Sequence, residues 1–227
     1  EIFMKDKKSI GSFVQGSFRG SAAVLGIAFV QNMYGSSGMA PMMVLGAVPL
    51  YNIFSVIILT IKSENSLNSK NLYKESFINI LKNPIIWGIV IGLLFSLLEI
   101  KLPIMINKAV ESVASLATPF ALIILGAGFE GKKALSKIKP TLVATALKLF
   151  IIPAVFIPVA VYMGFRNQEM IAILIMLGAP STVSCYVMAK NLGNDHVLSS
   201  SIVVASTFLS SFSITMWIFI LKTMGYL

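Results

Sequence analysis

The chain has 227 residues, of which 56% are hydrophobic and only 12% are charged, and its mean hydropathy is +0.86. A soluble domain is about 45–50% apolar and about 25% charged, so this composition excludes an ordinary soluble protein. The net charge of +9 would suggest nucleic-acid binding in a soluble chain. Here the lysines lie in short connections between apolar blocks, which membrane topology explains better. A single cysteine, Cys185, and a single histidine, His196, exclude a disulfide framework and a zinc-type cluster.

Seven apolar stretches approach the length that a membrane-spanning helix needs, about 20 residues. They cover residues 11–31, 39–61, 84–100, 109–128, 140–164, 170–189 and 197–221. Before the third stretch, Leu72, Phe77, Ile78 and Leu81 recur at helical spacing between lysines, which predicts an interfacial helix over 72–83. The sequence therefore predicts an all-α integral membrane protein.

The distribution of basic residues predicts the orientation in the membrane. With residues 1–10 in the cytoplasm and the spans alternating, twelve basic residues fall on the cytoplasmic side and four on the outer side. The amino terminus is therefore expected in the cytoplasm and the carboxyl terminus outside, in a multi-pass protein of the cell (inner) membrane.

Two stretches of the sequence share one pattern. A shift of 158 residues aligns Gly35 with Gly193. Residues 20–38 and 178–195 each hold a run of small residues, an apolar run, an amide-containing link that ends in glycine, and then a long apolar span. They belong to the first and sixth spans, which cross the membrane in opposite directions. The pattern predicts an inverted-topology repeat, whose interrupted helices meet near the membrane midplane in secondary transporters.

The sixth span carries residues that weaken or polarise a helix. Pro180 lacks a backbone donor and Gly178 loosens the turn. The hydroxyls of Ser181, Thr182 and Ser184 are available to freed backbone groups or to a solute. Small residues and prolines in membrane helices also serve close packing alone, so a packing face is the alternative to a binding site.

Four stretches resemble the auxin efflux carrier family in its bacterial branch: "FRGSAAVLGIAFVQNMYG" (18–35), "LKNPIIWGIVIGLLFSLLEIKLP" (81–103), "ATPFALIILGAGF" (117–129) and "APSTVSCYVMAKNLGND" (179–195). The resemblance implies a ten-helix carrier of two inverted five-helix repeats, whose fourth and ninth helices are broken and cross at the substrate site. The chain would then hold about seven helices and lack the first three. Its regions would be the end of the first repeat (1–61), a cytoplasmic loop with an interfacial helix (62–83) and the second repeat (84–227).

The resemblance also implies site residues on both broken helices. In the first helix they are Ser21, where the family often has Asn, together with Gly26 and Ala28 in place of a Gly-x-Pro motif. In the second helix Pro180 matches the family, but the second crossover proline falls on Cys185. Since both crossover prolines are absent, helix breaking is expected to depend on Gly20, Gly26, Gly178 and Pro180.

Two basic residues fall within spans, where charges are expensive and are usually functional or reach the surface along their own stems. Arg19 precedes the small-residue run of the first span and either attracts an anion or extends to the cytoplasmic surface. Lys148 lies about 12 Å beyond Pro140 at 1.5 Å per residue, so it faces a cavity or snorkels.

The function predicted is a secondary transporter of small organic anions working by alternating access, since the resemblance implies dicarboxylates such as malate for bacterial relatives. No cofactor and no metal are expected. The expected partners are a carboxylate solute and the lipid bilayer, with a coupling ion and a homodimer left open. The alternatives are a membrane sensor or structural subunit without transport, and an intramembrane enzyme. No span carries an acid–base constellation for the last of these.

The orientation yields a labelling prediction. A cysteine that replaces Ser136, in the lysine-rich connection 130–140, should resist membrane-impermeant thiol reagents in intact cells, and so should one at Ser66. A cysteine at Asn167 should react. Labelling at both serine positions would reverse the orientation.

Overall fold

The computed structural model describes residues 6–35, 38–63, 72–82, 84–100 and 102–227, and every regular element in these ranges is helical. The helices are α1 (Lys7–Phe18), α2 (Ala22–Tyr34), α3 (Ala40–Ile61), α4 (Leu72–Lys82), α5 (Pro84–Leu97), α6 (Ile104–Ala127), α7 (Gly131–Ser136), α8 (Ile138–Ala146), α9 (Ile152–Tyr162), α10 (Asn167–Gly178), α11 (Ser184–Asn191) and α12 (His196–Thr223). A π-helical turn, Leu147–Ile151, joins α8 to α9 without interruption.

Four helical segments among the described residues are long and apolar enough to cross a membrane: α3, α6, α12 and the continuous segment Ile138–Tyr162. This confirms the all-α membrane protein that the composition predicts. The first and sixth predicted spans have a different form, because each is divided into two helices, α1–α2 and α10–α11.

Five helices begin or end at one end of the bundle. α1, α8 and α12 begin there, since Lys137 and Asp195 both contact the Ser9 hydroxyl. α3 and α11 end there, because Asn194, which follows α11, donates its amide to the Leu59 carbonyl. We call it the lysine-rich end, since it carries Lys8, Lys62, Lys137, Lys139 and Lys190.

The opposite end joins the start of α10 to the end of α12. The Asn167 N–H donates to the Tyr226 carbonyl at 2.9 Å, and the Arg166 guanidinium lies 4.8 Å from the centre of the Tyr226 ring. The pair α1–α2 therefore runs away from the lysine-rich end, whereas α10–α11 runs toward it. The two divided spans are antiparallel, as the alternating topology requires.

α4 covers the stretch for which the sequence predicts an interfacial helix. Its Phe77 and Leu81 side chains are 61% and 47% exposed, while the Asn79 amide donates to the Thr60 hydroxyl at the end of α3. Residues 64–71, which precede α4 in the predicted loop 62–75, lie outside the described residues. The helix therefore presents an apolar face away from the bundle and is attached to α3 through a polar contact.

The core of the bundle lies among α1, α3, α8–α9, α10, α11 and α12. Apolar side chains such as Leu149, Ile175 and Leu198 are fully buried there. α5 and α6 lie outside this core, and Leu125 is the one buried residue of α6 in the described part of the chain. Their exposed apolar side chains are the surface that a bilayer covers.

Asp195 holds together the starts of three helices. Its carboxylate accepts the Leu198 N–H at 2.9 Å and the Ser9 hydroxyl at 2.6 Å, and it pairs with the Lys137 ammonium at 3.0 Å. Burial by itself would raise the pKa of Asp195, but the hydrogen bonds from Ser9, Leu198 and Lys137 together lower it. The ionised carboxylate thus caps α12 and ties it to α1 and α8.

Replacing Asp195 by alanine removes both the cap and the ion pair, so the free energy of unfolding should fall by more than the ~1 kcal/mol of a lost cap. Asparagine keeps the cap and should cost less, because Lys137 is partly exposed. Since the folded pKa is lowered, this stabilisation is present above the ordinary aspartate pKa of about 4 and is lost as the pH falls through the lowered value. Denaturation in detergent at several pH values measures it, and identical curves for all three proteins at neutral pH would contradict the role.

Candidate functional site

The first break separates α1 from α2 at residues 19–21. Arg19 leaves the helix with φ −76° and ψ 121°, and Gly20 follows. A Cβ atom on Gly20 would lie 2.9 Å from the Lys148 Nζ and 3.4 Å from the Ala179 carbonyl oxygen. The break therefore needs glycine at position 20 because other parts of the core approach its backbone closely.

The second break separates α10 from α11 at residues 179–183. Ala179 is extended, with φ −63° and ψ 147°, as the ring of a following proline favours. Pro180 also has no N–H with which to continue the helix. The prediction that Gly178 and Pro180 interrupt this span agrees with the structure, since α10 ends at Gly178.

The two breaks meet and satisfy each other's backbone groups. The Ser21 N–H donates to the Pro180 carbonyl at 2.8 Å, and the Ser181 hydroxyl donates to the Gly16 carbonyl at 2.6 Å. The Ser181 N–H donates to the Ser206 hydroxyl at 3.0 Å, which ties the break to α12. Backbone groups freed at membrane depth need such partners inside the protein. We call this meeting point the crossing.

Arg19 lies at the crossing and extends to neither surface, since only 5% of it is exposed. Its Nη2 donates to Asn52 Oδ1 at 2.7 Å and to Ser184 Oγ at 2.9 Å, and its Nη1 lies 2.8 Å from Met188 Sδ. These partners come from α3 and α11 and are all neutral. The guanidinium charge is therefore bound by dipoles and by no carboxylate among them.

Lys148 is also buried, with 1% exposed, and it does not snorkel. It lies on the π-helical turn that precedes Pro153, where the missing proline N–H leaves the Leu149 carbonyl to accept the Trp217 indole N–H at 3.0 Å. The Lys148 amine donates to the Phe18 carbonyl at 2.9 Å. Lys148 thus supplies a donor to a carbonyl at the open end of α1.

The structure brings most of the predicted site residues to the crossing. They are Arg19, Ser21, Lys148, Pro180, Ser181, Thr182 and Ser184, and the Thr182 and Ser184 hydroxyls lie 3.2 Å apart. Cys185 is buried against Leu125 and Val203. The prediction that Gly26 breaks the first span is wrong, because Gly26 and Ala28 lie inside α2, and Gly20 is where the chain leaves the helix.

The sequence analysis did not single out Asn52, Gln15, Gly16 or Ser206. Asn52 and Gln15 are fully buried amides, and a polar residue inside an apolar span was the signal that could have found them. No sequence signal marked Gly16, because the group that it contributes to the crossing is its backbone carbonyl.

Antiparallel broken helices that cross inside a helical membrane bundle are the arrangement that secondary transporters use at their solute sites. Comparison with known families agrees with this class, since the model of the family described as "Membrane transport protein" matches residues 1–218. The chain belongs to this family, which is that of the auxin efflux carrier-like transporters. No curated protein matches the chain.

The crossing yields a stability prediction. Replacing Ser181 by alanine removes the bond to the Gly16 carbonyl and should lower the free energy of unfolding by about 1–3 kcal/mol, because a buried carbonyl is left unpaired. Ser210 is a matched control, since the partner of its hydroxyl among the described residues is the Thr207 carbonyl of its own helix. Its alanine variant should lose less. Equal losses in detergent denaturation would mean that the Ser181 bond does not hold the two breaks together.

Proposed function

We propose that this membrane transport protein carries small organic anions with carboxylate groups, and that the anion binds at the crossing. The observation that carries the proposal is the buried Arg19 guanidinium, whose bonded partners Asn52, Ser184 and Met188 are all neutral. A buried positive charge that pairs with no carboxylate among the described residues favours an anionic ligand, and a carboxylate can accept from two guanidinium donors at once.

Helix ends add to the same electrostatic preference. Ser184 is the first residue of α11, so Arg19 lies beside the amino-terminal end of that helix, where the backbone dipoles contribute partial positive charge. The N–H groups of Cys185 and Tyr186 in this first turn are bonded to the Thr182 and Val183 carbonyls, so the helix would act on an anion through its dipole. The Thr182 and Ser184 hydroxyls provide further donors at the same point.

The crossing is closed in this conformation, because Arg19 and Ser181 are 5% and 3% exposed. Binding therefore requires the helices to open toward one side of the membrane at a time, which is alternating access. The lysine-rich end is proposed as the cytoplasmic side by the positive-inside rule. Lys148 acts in this scheme by holding the end of α1 through the Phe18 carbonyl.

Counterflow of labelled carboxylates into proteoliposomes tests the proposal. Changing Arg19 to glutamine should raise the apparent KM for a carboxylate about ten- to a hundredfold, since a hydrogen bond to a charged group contributes about 1.5–3 kcal/mol. Lysine at this position keeps the charge but loses the forked geometry, so an intermediate loss is expected.

Lys222→Gln is the matched control, because it removes the same charge from an exposed site at the far end of α12. Equal activity of the folded Arg19→Gln and Lys222→Gln variants would contradict the proposal. Solute binding without flux in the unchanged protein would instead favour a membrane sensor.

A further inference from the structure

Six buried side-chain oxygens among the described residues have no hydrogen-bond partner: those of Ser12, Gln15, Ser55, Thr145, Asn194 and Ser199. Such groups are few in native proteins, because each costs about 1–3 kcal/mol unless water or a ligand meets it. All six belong to the half of the bundle between the crossing and the lysine-rich end. Three of them lie in one region: Gln15 is on α1, Ser55 is on α3, and Asn194 contacts both helices.

Along α1, a series of polar groups begins beside Asn194 and ends at Arg19. The Asn194 Oδ1 lies so close to the Gly11 backbone that a Cβ there would overlap it. Gln15 is one helical turn further along α1, is fully buried and leaves its Oε1 unpartnered. Arg19 is one turn beyond Gln15. These three residues therefore lie in order on one side of α1.

On α3, which is antiparallel to α1, the series has the same order. Leu59 accepts the Asn194 amide at 2.8 Å near the lysine-rich end. Ser55 lies one turn closer to the crossing, fully buried and without a partner for its hydroxyl. Asn52, almost one turn beyond Ser55, is bonded to Arg19. Unpartnered oxygens thus occupy the middle of the interval from both helices.

A cavity of about 410 Å³ opens at the lysine-rich end of this series. Thr60, Asn79, Lys190 and Gly193 are among the residues that line it. Asn194 adjoins it, because its amide also donates to the carbonyl of Leu192, another lining residue, at 3.2 Å. The lining is polar and carries a cation, so the cavity is suited to water and to anions.

Met188 is the group that separates this series from the guanidinium. The Gln15 Nε2 and the Arg19 Nη1 lie 3.8 Å and 2.8 Å from the Met188 Sδ, so two strong donors converge on one thioether. A thioether is a weak acceptor on a flexible side chain. A carboxylate oxygen at the same place would be a much stronger partner for both donors.

We propose that a hydrated passage leads from this cavity, between α1, α3 and α11, to a two-donor subsite formed by the Gln15 amide and the Arg19 guanidinium, and that the Met188 side chain closes it. The unpartnered oxygens of Asn194, Gln15 and Ser55 hold the water of the passage. The identity of the solute rests on the proposed function, whereas the passage itself does not.

Cysteine accessibility tests the passage. A cysteine at Ser55 should react with a small anionic methanethiosulfonate roughly tenfold faster or more than one at Ser213, because a thiol without water contact reacts only when the structure opens locally. Ser213 is the matched control, since it is equally buried but its hydroxyl is bonded to the Ser210 carbonyl. The native Cys185 sets the background rate.

The passage should also admit anions in preference to cations, and its accessibility should depend on the Met188 side chain. The anionic reagent should modify the Ser55 cysteine faster than a cationic reagent of similar size, because the passage ends at a guanidinium. Met188→Ala should increase that rate further. Equal rates at Ser55 and Ser213 with both reagents would overturn the passage.

The subsite has its own measurement. Gln15→Leu should raise the apparent KM for a carboxylate about ten- to a hundredfold, as expected for one bond to a charged group, while the rate at the Ser55 cysteine stays above that at Ser213. An unchanged KM would overturn the subsite. If the protein transports a carboxylate but the Ser55 cysteine is inaccessible, the passage is rejected and the proposed function is not. If the Ser55 cysteine is accessible but no carboxylate flux is measured, the proposed function is rejected and the passage is not.

Discussion

The bond between the Ser21 N–H and the Pro180 carbonyl is the interaction on which the core of this bundle depends. A membrane offers no water to a backbone group that leaves its helix, so a broken helix needs a partner within the protein. Here each break supplies that partner to the other, and Ser181 extends the arrangement to α1 and α12. Two features that would each be unfavourable alone are thus stable only together.

This mutual dependence explains the residues packed around the crossing. Gly20 leaves room for Lys148, and Lys148 in turn satisfies a carbonyl at the open end of α1. Arg19 links the break to α3 and α11 through neutral acceptors. The result is a hydrogen-bonded polar centre that also holds a buried positive charge, as the proposed binding of an anion would require.

The two divided spans are alike in pattern but unequal in form. Both end near a glycine with positive φ, Gly35 at 72° and Gly193 at 68°, and a long helix follows each. The break after α10 covers residues 179–183 and is longer than the break after α1, which covers residues 19–21. The pairing of Gly193 with Gly35 that the sequence predicts is therefore supported by backbone conformation, whereas an inverted repeat over the whole chain stays a prediction.

Composition, hydropathy and local residue chemistry were sufficient to predict the membrane class, the approximate limits of the four long apolar segments, a helix after residue 71 and the interruption at Pro180. These properties depend on the length of apolar runs and on the backbone limits of proline and glycine, which are local. The sequence could not tell that Gly26 continues a helix while the chain leaves its helix at Gly20, because the groups that approach Gly20, Lys148 and Ala179, are distant in sequence. Nor could the sequence predict that Arg19 contacts Asn52 and Met188, or that Lys148 donates to the Phe18 carbonyl. Those partners are distant in sequence, and only the packing of antiparallel helices brings them within bonding distance.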